Sequence, residues 1–253
     1  MSRFANLIRK DLNASKMSVG IVAAIIAISM ALTWFNVKMG SWHEASLIVP
    51  VGISLAFLPI WFVWQAAQKL NTEWKDDTVY TLQVLPVPGW QVLLSKIVSL
   101  WVEYTTLLGV ISVGTFIFAN PLIGAIGTDT PRLSWILRNL AILYLLSLVL
   151  FTAVIVFIQL SFVVSRMIGR FQGLVQIWVW ILAINLVSTV GRWLAPLFNW
   201  VPRIPMHQIM RLDQLQYLVN VKFFLALNIG ALIAVIGLFW LTSYLFDNYL
   251  EVN

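Results

Sequence analysis

The sequence predicts an all-α polytopic membrane protein with six transmembrane helices, and three observations carry that reading. Of the 253 residues, 60% are hydrophobic and 10% charged. An ordinary soluble domain carries about 25% charged residues, so most of this chain's surface does not face water. The apolar residues also gather into six runs close to or above the roughly 20 residues that cross a bilayer as helix. Finally, these runs are far longer than barrel strands and show no period-two alternation, which excludes a transmembrane barrel. No polar block is long enough for a soluble domain, and 1–253 reads as a single transmembrane domain.

The elements follow in order. In residues 1–16, Phe4, Leu7, Ile8 and Leu12 fall on one helical face, with Arg3, Arg9, Lys10 and Asp11 off it. That spacing predicts an interfacial helix on the membrane surface; the alternative is a solvated tail. The segment is not a cleavable signal, because the apolar run after it is too long and ends without a small-residue cleavage pattern. The spans are expected at Ser18–Phe35, Ala45–Ala67, Val92–Phe118, Leu133–Val164, Phe171–Val190 and Val221–Phe246. Pro50 and Pro59 predict kinks in the second. The third is expected to end at Asn120-Pro121. The fourth is longer than a bilayer needs and should tilt or protrude.

Between the second and third spans lies the most informative stretch, Lys69 to Ile97. Asn71-Thr72 offers an N-cap for a short amphipathic helix over 73–85, in which Trp74, Val79, Tyr80 and Leu82 are available for packing. Pro86 and Pro88 stop any helix there, since each lacks an N–H and biases its predecessor to extended geometry. Gly89 is read as permitting a sharp turn before re-entry. Residues 191–220, which include Pro196, Pro202 and Pro205, are too polar and broken to span and too apolar for a free loop. They read as re-entrant helices, with Trp193 and Trp200 at headgroup level.

Charge placement sets the orientation. With the N-terminus inside, nine Lys and Arg fall in cytosolic segments and seven outside, a weak bias. The first span is clearer: Arg3, Arg9, Lys10 and Lys16 precede it, and Lys38 alone follows closely. Both termini are therefore expected in the cytosol. The formal charge of +6 is scattered at the ends of apolar runs, which fits anchoring at anionic headgroups and gives no reason to expect nucleic acid.

The sequence offers no site of catalysis. Cysteine is absent, which removes disulfides and thiol chemistry. No phosphate-binding loop with Lys-Ser/Thr is present. His43 and His207 lie far apart in expected outside loops, so no metal site is expected. The adjacent carboxylates of Asp76 and Asp77 would point in different directions from a helix and read as a solvated face. Glu103 lies about 16 Å into the third span at 1.5 Å per residue, near the centre of a hydrocarbon core about 30 Å thick. A carboxylate there should face a polar interior or be protonated. Lys96, seven residues earlier, lies on nearly the same face. The two could line one polar seam, or Lys96 could snorkel to the headgroups. For Glu103 itself the alternatives are a place on a translocation path and a structural tie to a polar group on another span, such as Gln65, Gln159, Asn185 or Asn228.

This layout resembles the permease subunits of type-two ABC exporters. The resemblance rests on Leu7-Ile8-Arg9-Lys10-Asp11-Leu12 before the first span, and above all on the run from Thr81 to Lys96. That run has a Leu85-Pro86-Val87 turn leading into Leu93-Leu94-Ser95-Lys96. Pro88-Gly89 stands where the family usually has Ser-Arg, and Ser95 where Gly is common. The proline-broken segment before the last span is also similar. The resemblance implies a multi-pass protein of the bacterial cytoplasmic (inner) membrane that moves substrate as a homo- or heterodimer of permease chains. A separate ABC ATPase subunit would hold ATP and Mg, and this chain would hold no cofactor. It implies that 73–85 is a coupling helix whose Trp74, Asp76, Asp77, Val79 and Tyr80 meet the ATPase. Arg166 and Arg170 of the 165–173 loop would make a second contact. Trp74, Val79 and Tyr80 could instead pack on the chain's own spans. The competing functions are a gradient-driven secondary transporter or channel and a membrane enzyme or assembly factor. The substrate is not legible.

Overall fold

The structure, a computed structural model, describes the backbone of residues 3–75, 87–125, 133–169, 171–198 and 221–249. Side chains are described for the same residues except 119–125, 133–140 and 221–228. Six α-helices account for most of this: α1 (Arg3–Lys38), α2 (Ile48–Lys75), α3 (Gly89–Ala125), α4 (Leu133–Ile168), α5 (Gln172–Leu194) and α6 (Val221–Asn248). Short 3-10 turns precede α2 at Glu44–Leu47 and follow α5 at Ala195–Phe198. No strand occurs among the described residues. All six helices are long and apolar enough to cross a membrane, and the protein is an all-α polytopic membrane protein.

The chain divides into two compact units, 1–87 with 91–133 and 88–90 with 134–253. The first contains α1, α2 and nearly all of α3. Its core is built from Met30, Phe62, Leu93, Leu100 and Leu107, all at most 2% exposed. Phe62 meets the ring of Tyr104 edge-on, with centroids 5.8 Å apart. That geometry adds about 0.5–1.5 kcal/mol beyond area burial.

Three expectations about this unit change. The N-terminal amphipathic segment is not a separate element, because α1 runs unbroken from Arg3 through the first span. No glycine or proline interrupts residues 3–19. Its half-buried face of Phe4, Leu7, Ile8 and Leu12 includes the buried Asp11 and Ser15, so that face packs on protein. Asn71-Thr72 does not cap a new helix either: α2 continues to Lys75. Tertiary contacts of Lys69 and Glu73, described below, override the local capping preference. Third, α3 passes through Asn120-Pro121 and ends at Ala125. A proline removes one donor, whereas ending the helix in an apolar stretch would leave several carbonyls unsatisfied.

Pro50 falls in the first turn of α2, where its missing N–H is no loss, and Pro59 lies inside the helix. His43 receives a structural role, its Nδ1 accepting from the Ala45 N–H at 3.3 Å to cap the first 3-10 turn.

In the second unit α5 and α6 pack closely. A Cβ placed on Gly230 would lie 2.9 Å from the Gly191 carbonyl oxygen and 3.1 Å from the Gly191 Cα. Small residues at such a crossing let backbones approach within a membrane. α5 extends past the expected boundary at Val190 to Leu194. The chain then continues through Pro196 in the 3-10 segment. The rest of the expected re-entrant region, 199–220, lies outside the described residues.

Candidate functional site

Three helices of the first unit each bring polar side chains to one place by steps of three or four residues. On α1 these are Asp11 and Ser15, on α2 Lys69 and Glu73, and on α3 Ser95, Lys96, Ser99 and Glu103. A four-residue step returns to the same helical face, so each helix presents a short polar stripe. The stripes meet as a buried ionic cluster.

Lys69 Nζ lies 2.6 Å from Glu103 Oε1 and donates to Ser99 Oγ at 2.8 Å. Ser15 Oγ also donates to Glu103 Oε1. One helical turn further, Lys96 Nζ pairs with Glu73 Oε2 at 2.8 Å and lies 3.9 Å from Asp11 Oδ1. Ser95 Oγ donates to Asp11 Oδ2 at 3.3 Å. Lys10 reaches Glu73 Oε1 at 3.3 Å from the exposed rim. Three ammonium groups, Lys10, Lys69 and Lys96, thus face three carboxylates, Asp11, Glu73 and Glu103, and the cluster is balanced. Balance matters because an uncompensated charge buried here would cost several kcal/mol. The second oxygen of Glu103, Oε2, is enclosed without a hydrogen-bond partner.

This arrangement places the residues singled out from sequence. Glu103 is 2% exposed and tied to Lys69 and Ser15; the side chain of Asn228 lies outside the described residues. Lys96 shares one polar stripe of α3 with Glu103 and does not snorkel: it is 3% exposed, drawn inward by Glu73 and Asp11. Trp74 is half-buried on the last turn of α2, directly after Glu73. Asp76, Asp77, Val79 and Tyr80 lie outside the described residues, as does Arg170.

In the second unit, the last turn of α4 holds Arg166. Its guanidinium lies 5.1 Å from the centre of the Phe162 ring, a cation–π contact. Gly169 has φ of +72°, the left-handed geometry that a glycine accepts without strain. Phe171, at φ 53° and 81% exposed, adopts the same region without that freedom. Gln176 Nε2 donates to Ser165 Oγ at 3.1 Å across this turn. Sequence reasoning singled out neither Phe171 nor the cluster members Asp11, Ser15, Lys69 and Glu73. The four-residue steps Asp11–Ser15 and Lys69–Glu73, with opposite charges on different helices, were the available signal.

The residues after Glu73 and the turn after Arg166 are therefore the two polar interruptions adjoining α2 and α4. Among the described residues, neither brings together the groups that nucleophilic or acid–base chemistry requires. No curated protein and no solved structure matched the chain. A family model described as ABC-2 family transporter protein matches residues 10–176, which take in the whole ionic cluster, the Lys69–Ile97 stretch and the α4–α5 turn. A match over most of the chain, together with six membrane-crossing helices, shows that this protein belongs to the ABC-2 family of transporter proteins, as an ABC transporter permease.

Proposed function

We propose that the chain is the membrane permease of an ATP-driven exporter in a bacterial cytoplasmic membrane. It pairs with a second permease chain, identical or related, and a separate ABC ATPase subunit binds ATP and Mg and supplies the energy. The family match, together with six spans and no phosphate-binding loop in the sequence, supports this reading. In it the ATPase acts on the segment after α2 through Trp74, Asp76, Asp77, Val79 and Tyr80, with Arg166 and Arg170 at a second contact. Both termini, the Lys69–Trp90 stretch and the 165–173 turn face the cytosol. Residues 38–45, 120–131 and 191–220 face outward.

The observation that carries the coupling is the grip on the last turn of α2. Glu73 joins Lys96 of α3 and Lys10 of α1, so a displacement of the following segment reaches all three helices of the first unit. We assign Glu103 a structural role in that grip, since it is enclosed and paired with Lys69. A gradient-driven transporter would instead need an ionisable group exposed to the path.

The native absence of cysteine makes the test clean. The tagged chain carrying Asp77→Cys is expected to resist an impermeant maleimide applied to intact cells and to react in inverted vesicles. Purified from its native membrane, the complex is expected to hydrolyse ATP, and Tyr80→Ala to lose the ATPase or its coupling. Labelling of Asp77→Cys from outside would reverse the topology. Absence of any ATP hydrolysis in the complex would overturn the reading.

A further inference from the structure

The first two residues of α3 group with the second unit, and Gly89 is bonded there. The Gly89 N–H donates to Asp247 Oδ1 at 2.7 Å. Gly89 is the first residue of α3, so its N–H is one of the donors a helix cannot satisfy internally. Asp247 lies in the last turn of α6, which ends at Asn248. A carboxylate there opposes the dipole of its own helix, whereas at the start of α3 it is favoured by that helix's dipole. The residue is thus poor for the helix that carries it and good for the one it caps. A locally unfavourable choice of this kind points to a role outside the element that bears it.

Gly89 fits the same account, for a reason other than the one expected from sequence. Its φ is not among the positive values found at Gly40 and Gly169, so no left-handed turn requires it. The space beside it is occupied by side chains of α6. A Cβ at this position would overlap Asp247 Oδ1 and lie 2.7 Å from Phe246 Cδ1. Gly89 is buried, while Asp247 is otherwise exposed. The preceding residues, Val87 and Pro88, are not helical.

We propose that Asp247 is a positioning residue: its carboxylate latches Gly89 and so fixes where the chain leaves the 76–88 segment and enters α3. A movement of that segment is then delivered to α6 through this latch. The functional half of the proposal rests on the permease reading; the latch itself does not.

Two measurements separate these. Amide exchange at Gly89 is followed in the full chain in lipid nanodiscs; neither Pro86 nor Pro88 contributes an amide to the same peptide. Asp247→Ala is expected to speed exchange at Gly89 by about fivefold, the loss of one net hydrogen bond. Asp247→Asn, which keeps an acceptor at that position, is expected to retain most of the protection. Next, the native complex carrying Tyr249→Cys, the exposed residue just beyond α6, is labelled with maleimide before and after trapping with ATP and vanadate. Trapping is expected to change the labelling rate in the otherwise unchanged chain and in Asp247→Asn, and to leave it unchanged in Asp247→Ala. Unchanged Gly89 exchange in Asp247→Ala overturns the latch. Faster exchange with a full trapping response overturns its role in transmission. No trapping response without an Asp247 substitution counts against the permease reading, while the exchange result still decides the latch.

Discussion

Residues 76–86 are flanked by two kinds of attachment, each within its own unit. Before them, Glu73 sits in a network of three cations and three carboxylates, in which Lys96 and Glu103 are almost fully enclosed. After them, Gly89 is held by one hydrogen bond from its backbone and by a fit that excludes a side chain. The first attachment is strong because it is redundant: Glu73 has two cationic partners and Lys96 two anionic ones. It is also unforgiving, since removing any enclosed member strands another charge. The second is weak and single, so it can open without leaving a buried charge behind. Under the proposed function, a segment driven by a nucleotide cycle would be well served by that asymmetry, firm on the side of the first unit and releasable on the side of the second.

The largest expected effect breaks the first attachment. Lys69→Met leaves Glu103 without its cation and is expected to cost about 3–5 kcal/mol, read as a collapse in the yield of monodisperse protein in detergent. Lys69→Met with Glu103→Leu removes both charges and is expected to recover most of that yield, because an apolar pair can replace a buried ion pair. Failure of the double variant to recover would mean that the pair is not the reason for the loss.

A smaller effect is expected at the other attachment. Gly89→Ala places a methyl group against Asp247 and Phe246 and should destabilise by about 1–3 kcal/mol through overpacking. Thermal unfolding in detergent measures it. Adding Asp247→Ala should relieve part of the strain, and a purely additive loss would show that the crowding lies elsewhere. The smallest is Ser15→Ala, which removes one donor to Glu103 while the Lys69 contact remains, at about 1 kcal/mol. A loss as large as that of Lys69→Met would show that the serine, and not the cation, holds Glu103.

The contrast also explains what the sequence could and could not convey. Six spans were legible because hydropathy and length decide them independently of packing. The separation of Lys96 from Glu103 by seven residues correctly placed both on one face of α3, but their partners did not follow. Lys69 and Asp11 lie on other helices, and nothing in α3 alone says which helices adjoin it. Asn71-Thr72 carried a capping signal that was real locally and overruled by the anchoring of Lys69 and Glu73. Gly89 was legible as a special position, yet its cause, a carboxylate 158 residues away in sequence, was not. Of the expected ATPase contacts, Trp74 and Arg166 have described positions, and Asp76, Asp77, Val79, Tyr80 and Arg170 lie outside the described residues.

The central claim is that the last turn of α2 transmits the ATPase's work to the spans through Glu73. Its most direct test is ATP hydrolysis and the trapping response of Met39→Cys, the exposed residue just past the far end of α1, measured side by side in the native complex with and without Glu73→Gln. The account predicts that Glu73→Gln leaves the ATPase bound and hydrolysing while the trapping response falls several-fold. A folded complex with Glu73→Gln that hydrolyses ATP and shows the full trapping response would contradict it.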